Sequence, residues 1–158
     1  MKIFEKTCRC VFITLFLFGC GYKVVNYSEI NNFDIASIET SGNKRINYKI
    51  KNKLLFNSSK NDKKVIKINL ETTKEKKVKE KNIRNEITKY QINIKVKVSY
   101  SVINSLKKDQ FEIIKSGSYN VADQHSNTLD NEKKIVELLV ENITDQILDQ
   151  LRLKLNAI

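Results

Sequence analysis

The sequence predicts an α+β fold: a small, mainly antiparallel four-stranded sheet with two helices packed on it, in the order β-α-β-β-β-α. Three observations carry this reading. From Tyr90 to Val102 the even positions are Tyr, Ile, Ile, Val, Val, Tyr and Val, and the odd positions are Gln, Asn, Lys, Lys, Ser and Ser. Successive strand side chains point to opposite faces, so this stretch is a strand with one apolar and one polar face. From about Leu129 to Leu155, Val136, Val140, Ile143, Ile147, Leu151 and Leu155 recur at helical spacing, flanked by Ile135, Leu139 and Leu148. A shorter run, "NKRINYKIKNKLLF" at Asn43–Phe56, places Ile46, Ile50 and Leu54 at i, i+4 and i+8. One-faced strands and amphipathic helices satisfy each other as two layers.

In chain order, Phe33–Thr40 ("FDIASIET") is the expected first strand. Ser41-Gly42-Asn43 breaks it and offers N-cap residues for the first helix, which Asn57-Ser58-Ser59 closes. Lys64–Thr73 ("KVIKINLETT") alternates through Ile66, Ile68, Leu70 and Thr72 as a second strand. The most charged stretch follows, Lys74–Glu86 ("KEKKVKEKNIRNE"). It reads as a solvated hairpin loop, or else as a basic loop that meets phosphates. Tyr90–Val102 is the third strand, long against a usual length of about 5–6 residues. Asn104–Asp109 reads as a hairpin loop, and Phe111, Ile113, Tyr119 and Val121 share one face of the fourth strand, with Gly117 marking a bulge. Asp123–Thr128 is a polar turn. In the last helix Asp130 and Glu132 lie near the start and Arg152 and Lys154 near the end, which complements the helix dipole. The apolar stripe of this helix should lie on the even-numbered face of Tyr90–Val102. No internal repeat or Pro/Gly linker divides residues 33–158, which are expected to form one domain.

The first nineteen residues have a different order. Lys2, Lys6 and Arg9 stand against Glu5, then "VFITLFLF" at Val11–Phe18 is continuously apolar, and Gly19 precedes Cys20. Charge, apolar core and small residue are the layout of a secretory signal. A membrane-spanning helix needs about 20 apolar residues, and this run is much shorter. An uncleaved anchor and a buried core strand fit the basic flank less well. The segment resembles a bacterial lipoprotein signal, whose lipobox is matched by Leu17-Phe18-Gly19-Cys20; Phe18 stands where a small or hydroxyl residue is usual. The resemblance implies cleavage before Cys20, diacylglycerol on its sulfur and an acyl chain on the new amino group. Gly21, where aspartate would signal retention at the inner membrane, implies export to the outer one. Residues 1–19 are then a signal peptide and residues 20–32 a lipidated tether. Cys8 and Cys10 would leave with the signal, so the mature chain of 139 residues would keep Cys20 alone and form no internal disulfide.

The whole chain carries 29 Lys+Arg against 18 Asp+Glu, a net charge of +11; the signal removes three basic residues and one acidic, leaving +9. Such a balance favours anionic partners: nucleic acid, acidic membrane surfaces or phosphorylated glycolipids. Arginine occurs only at positions 9, 45, 84 and 152, and Lys, Asn and Ile abound, the imprint of AT-rich coding on the charge. Export and the lack of an Arg-rich or aromatic recognition run disfavour nucleic acid. His125 stands alone in a polar stretch, and no Gly-rich phosphate loop, His-x-x-x-His pair or nucleophile elbow is present. Neither enzymatic activity nor a cofactor is expected.

The mature chain also resembles the LptE family of lipopolysaccharide-assembly lipoproteins. The resemblance rests on "CGYKVV" at Cys20–Val25, "IASIETSGNKRINYKIKNKL", "KYQINIKVKVSYSV", "GSYNVAD" and the final helix ending "ITDQILDQLRLKL". Members often have an Ala-rich, Tyr-containing stretch before the last helix; here "SYNVADQHSNTLDNEKK" keeps Tyr119 without the alanines. The resemblance implies a small sheet with two helices. It implies an outer-membrane, lipid-anchored plug inside the LptD β-barrel of a Gram-negative bacterium, aiding lipopolysaccharide delivery without catalysis. The cations expected to meet lipopolysaccharide phosphates are Lys95 and Lys97 on the polar strand face, with Lys76, Lys77, Lys79 and Arg84. An auxiliary lipoprotein of an ABC-type lipid transporter, or a purely structural envelope lipoprotein, would share the same signal.

Overall fold

The structure, a computed structural model, describes residues 33–56 and 64–156. The signal, the tether and the Asn57-Ser58-Ser59 stop lie outside the described residues. The elements are β1 (Asp34–Gly42), α1 (Lys44–Phe56), β2 (Val65–Lys81), β3 (Ile87–Val102), β4 (Lys108–Asn120) and α2 (His125–Asn156). The strands form one sheet in the order β1-β2-β3-β4. β1 runs parallel to β2, while β2–β3 and β3–β4 are antiparallel. The expected order and layer arrangement are therefore present, in a mixed sheet.

The alternation in the sequence becomes a division of faces. Ile66, Ile68 and Leu70 of β2, Ile92, Ile94, Val96, Val98 and Tyr100 of β3, and Ile113 and Tyr119 of β4 are buried on one side. Both helices cover that side. Ile46, Ile50 and Leu54 of α1 and Leu139, Val140, Ile143, Ile147, Leu148, Leu151 and Leu155 of α2 close the same core. Burying one such aliphatic side chain contributes about 1.5–3 kcal/mol, so these residues dominate the favourable side of folding.

The corner between β1 and α1 is tightly built. Gly42 has φ +87°, and a Cβ there would collide with the Thr72 carbonyl oxygen across the sheet. Asn43 caps α1, its Oδ1 accepting the Ile46 amide at 3.1 Å. The Thr72 hydroxyl accepts the Asn43 amide at 3.1 Å and donates to Asn47 Oδ1 at 2.8 Å. Asn47 Nδ2 in turn donates to the Ser41 carbonyl at 2.8 Å. Thr72 and Asn47 are both buried, and this chain of bonds satisfies them.

Three expectations are corrected. Lys74–Glu86 is not a loop: β2 continues to Lys81, and the turn is confined to residues 82–86. Lys74 through Val78 pair with Ile94 through Tyr90, so the ladder to a strongly β-forming partner overrides a lysine-rich composition. Asn82 Oδ1 accepts the Arg84 and Glu86 amides, each at 2.9 Å, and Asn85 takes φ 63°, which closes the turn. Second, Gly117 marks no bulge, since β3 and β4 stay in register past it. It faces α2 instead, where a Cβ would stand 3.0 Å from Ile135 Cγ2, so glycine lets the helix approach the sheet. Third, α2 begins at His125, and Asp130 and Glu132 fall beyond its first turn, which holds no acid.

The division of faces gives a direct test. Ile94 is fully buried, and Ile94→Asp should abolish the cooperative unfolding transition, because an unpaired buried charge costs several kcal/mol. Lys97, on the opposite face of the same strand, should accept Gln with a change of about 0.5 kcal/mol or less in urea unfolding.

Candidate functional site

The helix-free face of the sheet is mostly polar, with Ile114 of β4 an exposed apolar exception opposite Lys95. β2 contributes Lys67, Asn69, Glu71, Thr73, Glu75 and Lys77, and β3 contributes Lys89, Gln91, Asn93, Lys95, Lys97, Ser99 and Ser101, paired in register. Where the strand side chains are small, around Ser37, Asn69, Ser99, Ser101 and Gln110, a depression of about 570 Å³ opens, with Lys67 and Lys108 beside it. Lys95 pairs with Glu112 at 2.7 Å, Lys77 with Glu75 at 2.9 Å, and Lys79 donates to the Ser118 hydroxyl at 3.3 Å. Lys97 has no ion-pair partner among the described residues. Arg84 sits in the β2–β3 turn.

The six cations singled out in the sequence are thus not one cluster. Lys77, Lys79, Lys95 and Lys97 share the open face. Lys76 has the opposite parity and turns toward the helices. There the Glu132 carboxylate accepts from Lys74 at 2.6 Å, Lys76 at 2.8 Å and the Tyr119 hydroxyl at 2.8 Å. The Lys76 ammonium stands 4.2 Å over the Tyr90 ring, and Tyr90 stacks on Tyr119 with centroids 5.7 Å apart. Burial by itself would push the Glu132 carboxyl up, but the bonds from Lys74, Lys76 and Tyr119 overcome it and hold the group down at about 2. The same carboxylate raises Lys76 above the usual lysine range. This hub is legible in the sequence once β2 is extended, because Lys74 and Lys76 continue the parity of Leu70 and Thr72.

A second set of charges ties the helices together. Lys49 pairs with Glu137 at 2.7 Å, and Lys53 reaches Asp145 at 2.9 Å and Glu141 at 3.4 Å. The two helices therefore run side by side in the same direction. Toward their N-terminal ends lies a cleft of about 390 Å³ that includes Arg45, Lys133 and Asp130. His125 opens α2 and is exposed. Among the described residues no group of His, Cys, Asp or Glu could hold a metal ion, and no helix is long and apolar enough to cross a membrane. The arrangement offers charged and hydroxyl groups for binding.

No protein-family model and no curated protein matches the chain. Solved structures do. A putative lipoprotein from Caulobacter crescentus is 14% identical with a TM-score of 0.55, over 84% of this chain and 96% of that one. The uncharacterized lipoprotein B from Nitrosomonas europaea is 13% identical with a TM-score of 0.51, over 79% of this chain and 86% of that one. Rare lipoprotein B from Shewanella oneidensis is 17% identical with a TM-score of 0.48, over 80% and 94%. At these identities the first two likenesses establish a shared fold.

The Glu132 hub sets a pH dependence. Its folded carboxyl lies near 2 against an ordinary 4.5, so its stabilisation is complete above about 4.5 and is lost as pH falls through 2. Glu132→Gln should cost about 1–2 kcal/mol at pH 7, allowing for partial exposure, and the gap to the parent should close by pH 2. Urea unfolding of both proteins across that range measures it.

Proposed function

We propose that this chain is an outer-membrane lipoprotein, acylated on Cys20, that occupies the lumen of an LptD-type β-barrel and aids delivery of lipopolysaccharide to the cell surface. The observation that carries the reading is the junction of two features. A signal ending in Gly19-Cys20 leads into a domain with the fold of solved bacterial lipoproteins. Three acyl chains on Cys20 would anchor the domain firmly, since each buried CH₂ contributes about 0.8 kcal/mol and one chain alone is marginal. The domain is a suitable filling for a wide barrel because the sheet's outer face is mostly polar and the helix layer is laced with ion pairs. A large barrel lumen is itself polar and water-filled. Lysines on the open face act as point charges toward phosphate.

Mass spectrometry of the membrane-extracted protein should find residues 1–19 absent and acyl chains on Cys20; a chain still starting at Met1 would refute the acylation. Crosslinking followed by partner identification should recover an outer-membrane barrel in equal amount. Recovery of an inner-membrane permease would point instead to a lipid-transporter accessory.

The open face should bind lipid A at low salt and release it at high salt, as the Debye length shrinks from about 10 Å at 0.1 M to about 3 Å at 1 M. Replacing Lys95 and Lys97 together with Glu should weaken that binding while leaving folding and barrel association intact. Unchanged binding by the double variant would make these lysines solubilising groups.

A further inference from the structure

Several chain ends converge on one end of the domain. Asp34, at the start of β1, pairs with Val65, at the start of β2. The Ile103 amide, just past β3, donates to the Val65 carbonyl at 2.8 Å, and Ser101 pairs with Lys108 at the start of β4. Lys64 Nζ donates to the Leu155 carbonyl at 2.6 Å, which brings the end of α2 to the same place. α1 runs alongside α2 in the same direction but stops short of this end, since Lys53 lies level with Glu141 and Asp145 while α2 continues to Asn156.

This proximal end exposes large apolar side chains that its core does not use. Leu106 is 101% exposed and Leu153 67%. Lys107 and Lys108 directly follow Leu106. Isolated exposed apolar residues are ordinary, but here two from separate elements lie near cations at the end where the chain enters. Phe33 is buried immediately before β1, and Cys20 precedes it by thirteen residues. Thirteen residues reach at most about 47 Å when fully extended. The sixteen residues of β3 span about 53 Å and carry the β2–β3 turn, with Ile83, to the far end.

We propose that, in the lipoprotein free of its partner, this proximal end lies against the lipid surface that holds Cys20. Leu106 and Leu153 enter the headgroup region while Lys107 and Lys108 meet anionic lipid phosphates. The proposal rests on the acylation of Cys20 argued above. Apolar side chains flanked by lysine are the composition of interfacial attachment, and the lysine stems can run along the apolar layer while their ammonium groups stay in water. The tether then supplies proximity, the end face supplies orientation, and the β2–β3 turn points away from the bilayer.

The test uses the full acylated protein in vesicles of phosphatidylethanolamine and phosphatidylglycerol. Leu106→Cys and Ile83→Cys are each labelled with an environment-sensitive fluorophore. Leu106 and Ile83 are equally exposed, so each substitution should leave the fold intact and the two labels are matched controls. Brominated lipids should quench the label at position 106 at least about threefold more than the label at 83. Equal quenching, or greater quenching at 83, overturns the proposal. Quenching at 106 that requires added barrel protein also overturns it, in favour of a protein contact. The mass of each purified sample reports acylation separately, so failure of the anchor and failure of the end face are told apart.

Discussion

A sheet that is apolar on one face only is the constraint from which the rest of the structure follows. Ile66, Ile68 and Leu70 on β2 and Ile92, Ile94, Val96 and Val98 on β3 are almost completely withdrawn from water. Apolar area removed from water stabilises by about 25 cal/mol per Å², so both helices must lie on that side. For α1 this requires the chain to leave β1 and double back at once. Gly42 supplies the backbone angle, Asn43 caps the helix it starts, and Thr72 and Asn47 satisfy each other inside the bend. For α2 it requires a close approach to β4, which Gly117 allows.

Charge obeys the same division. Beneath and between the helices, Lys49, Lys53, Lys74 and Lys76 each meet a carboxylate. Glu132 is the strongest of these acceptors because one partly buried carboxylate serves two ammonium groups and a phenol. The ion pairs of the exposed open face are worth little to stability by comparison, since water screens them. Lys95 with Glu112 is such a pair, and Lys97 beside it is uncommitted. Four lysines are thus held in the helix layer, whereas on the open face Lys77 and Lys95 keep only exposed pairs and Lys97 has no ion-pair partner among the described residues.

This separation of roles agrees with the function proposed above, that of a domain enclosed on its sides and tethered at one end. The mostly polar open face and the ion-paired helix layer each suit a wet lumen. The end at which β1 and β2 start carries exposed Leu106 and Leu153, with Lys107 and Lys108 beside Leu106, the composition behind the proposed lipid contact. The opposite end is a closed turn in which Asn82 organises the backbone and Ile83 takes no part in the core.

The sequence by itself determined the elements and their inner faces. Period-2 alternation placed Ile92 through Tyr100 on one side of β3, and helical spacing selected Ile46, Ile50 and Leu54, all of them buried. It also places Gly19-Cys20 after a basic and then apolar stretch. These are local signals, written by each residue's own environment. Tertiary structure alone decided what depends on a distant partner. Lys74–Lys81 is strand because β3 lies beside it. Gly117 is small because Ile135 of α2 comes to it, and Glu132 is an ion-pair hub because β2 reaches it. β1 is parallel to β2 because α1 carries the chain back across the sheet before β2 begins. No short window of sequence contains both members of any of these pairs, and the pairing energy that overrides local composition is not local.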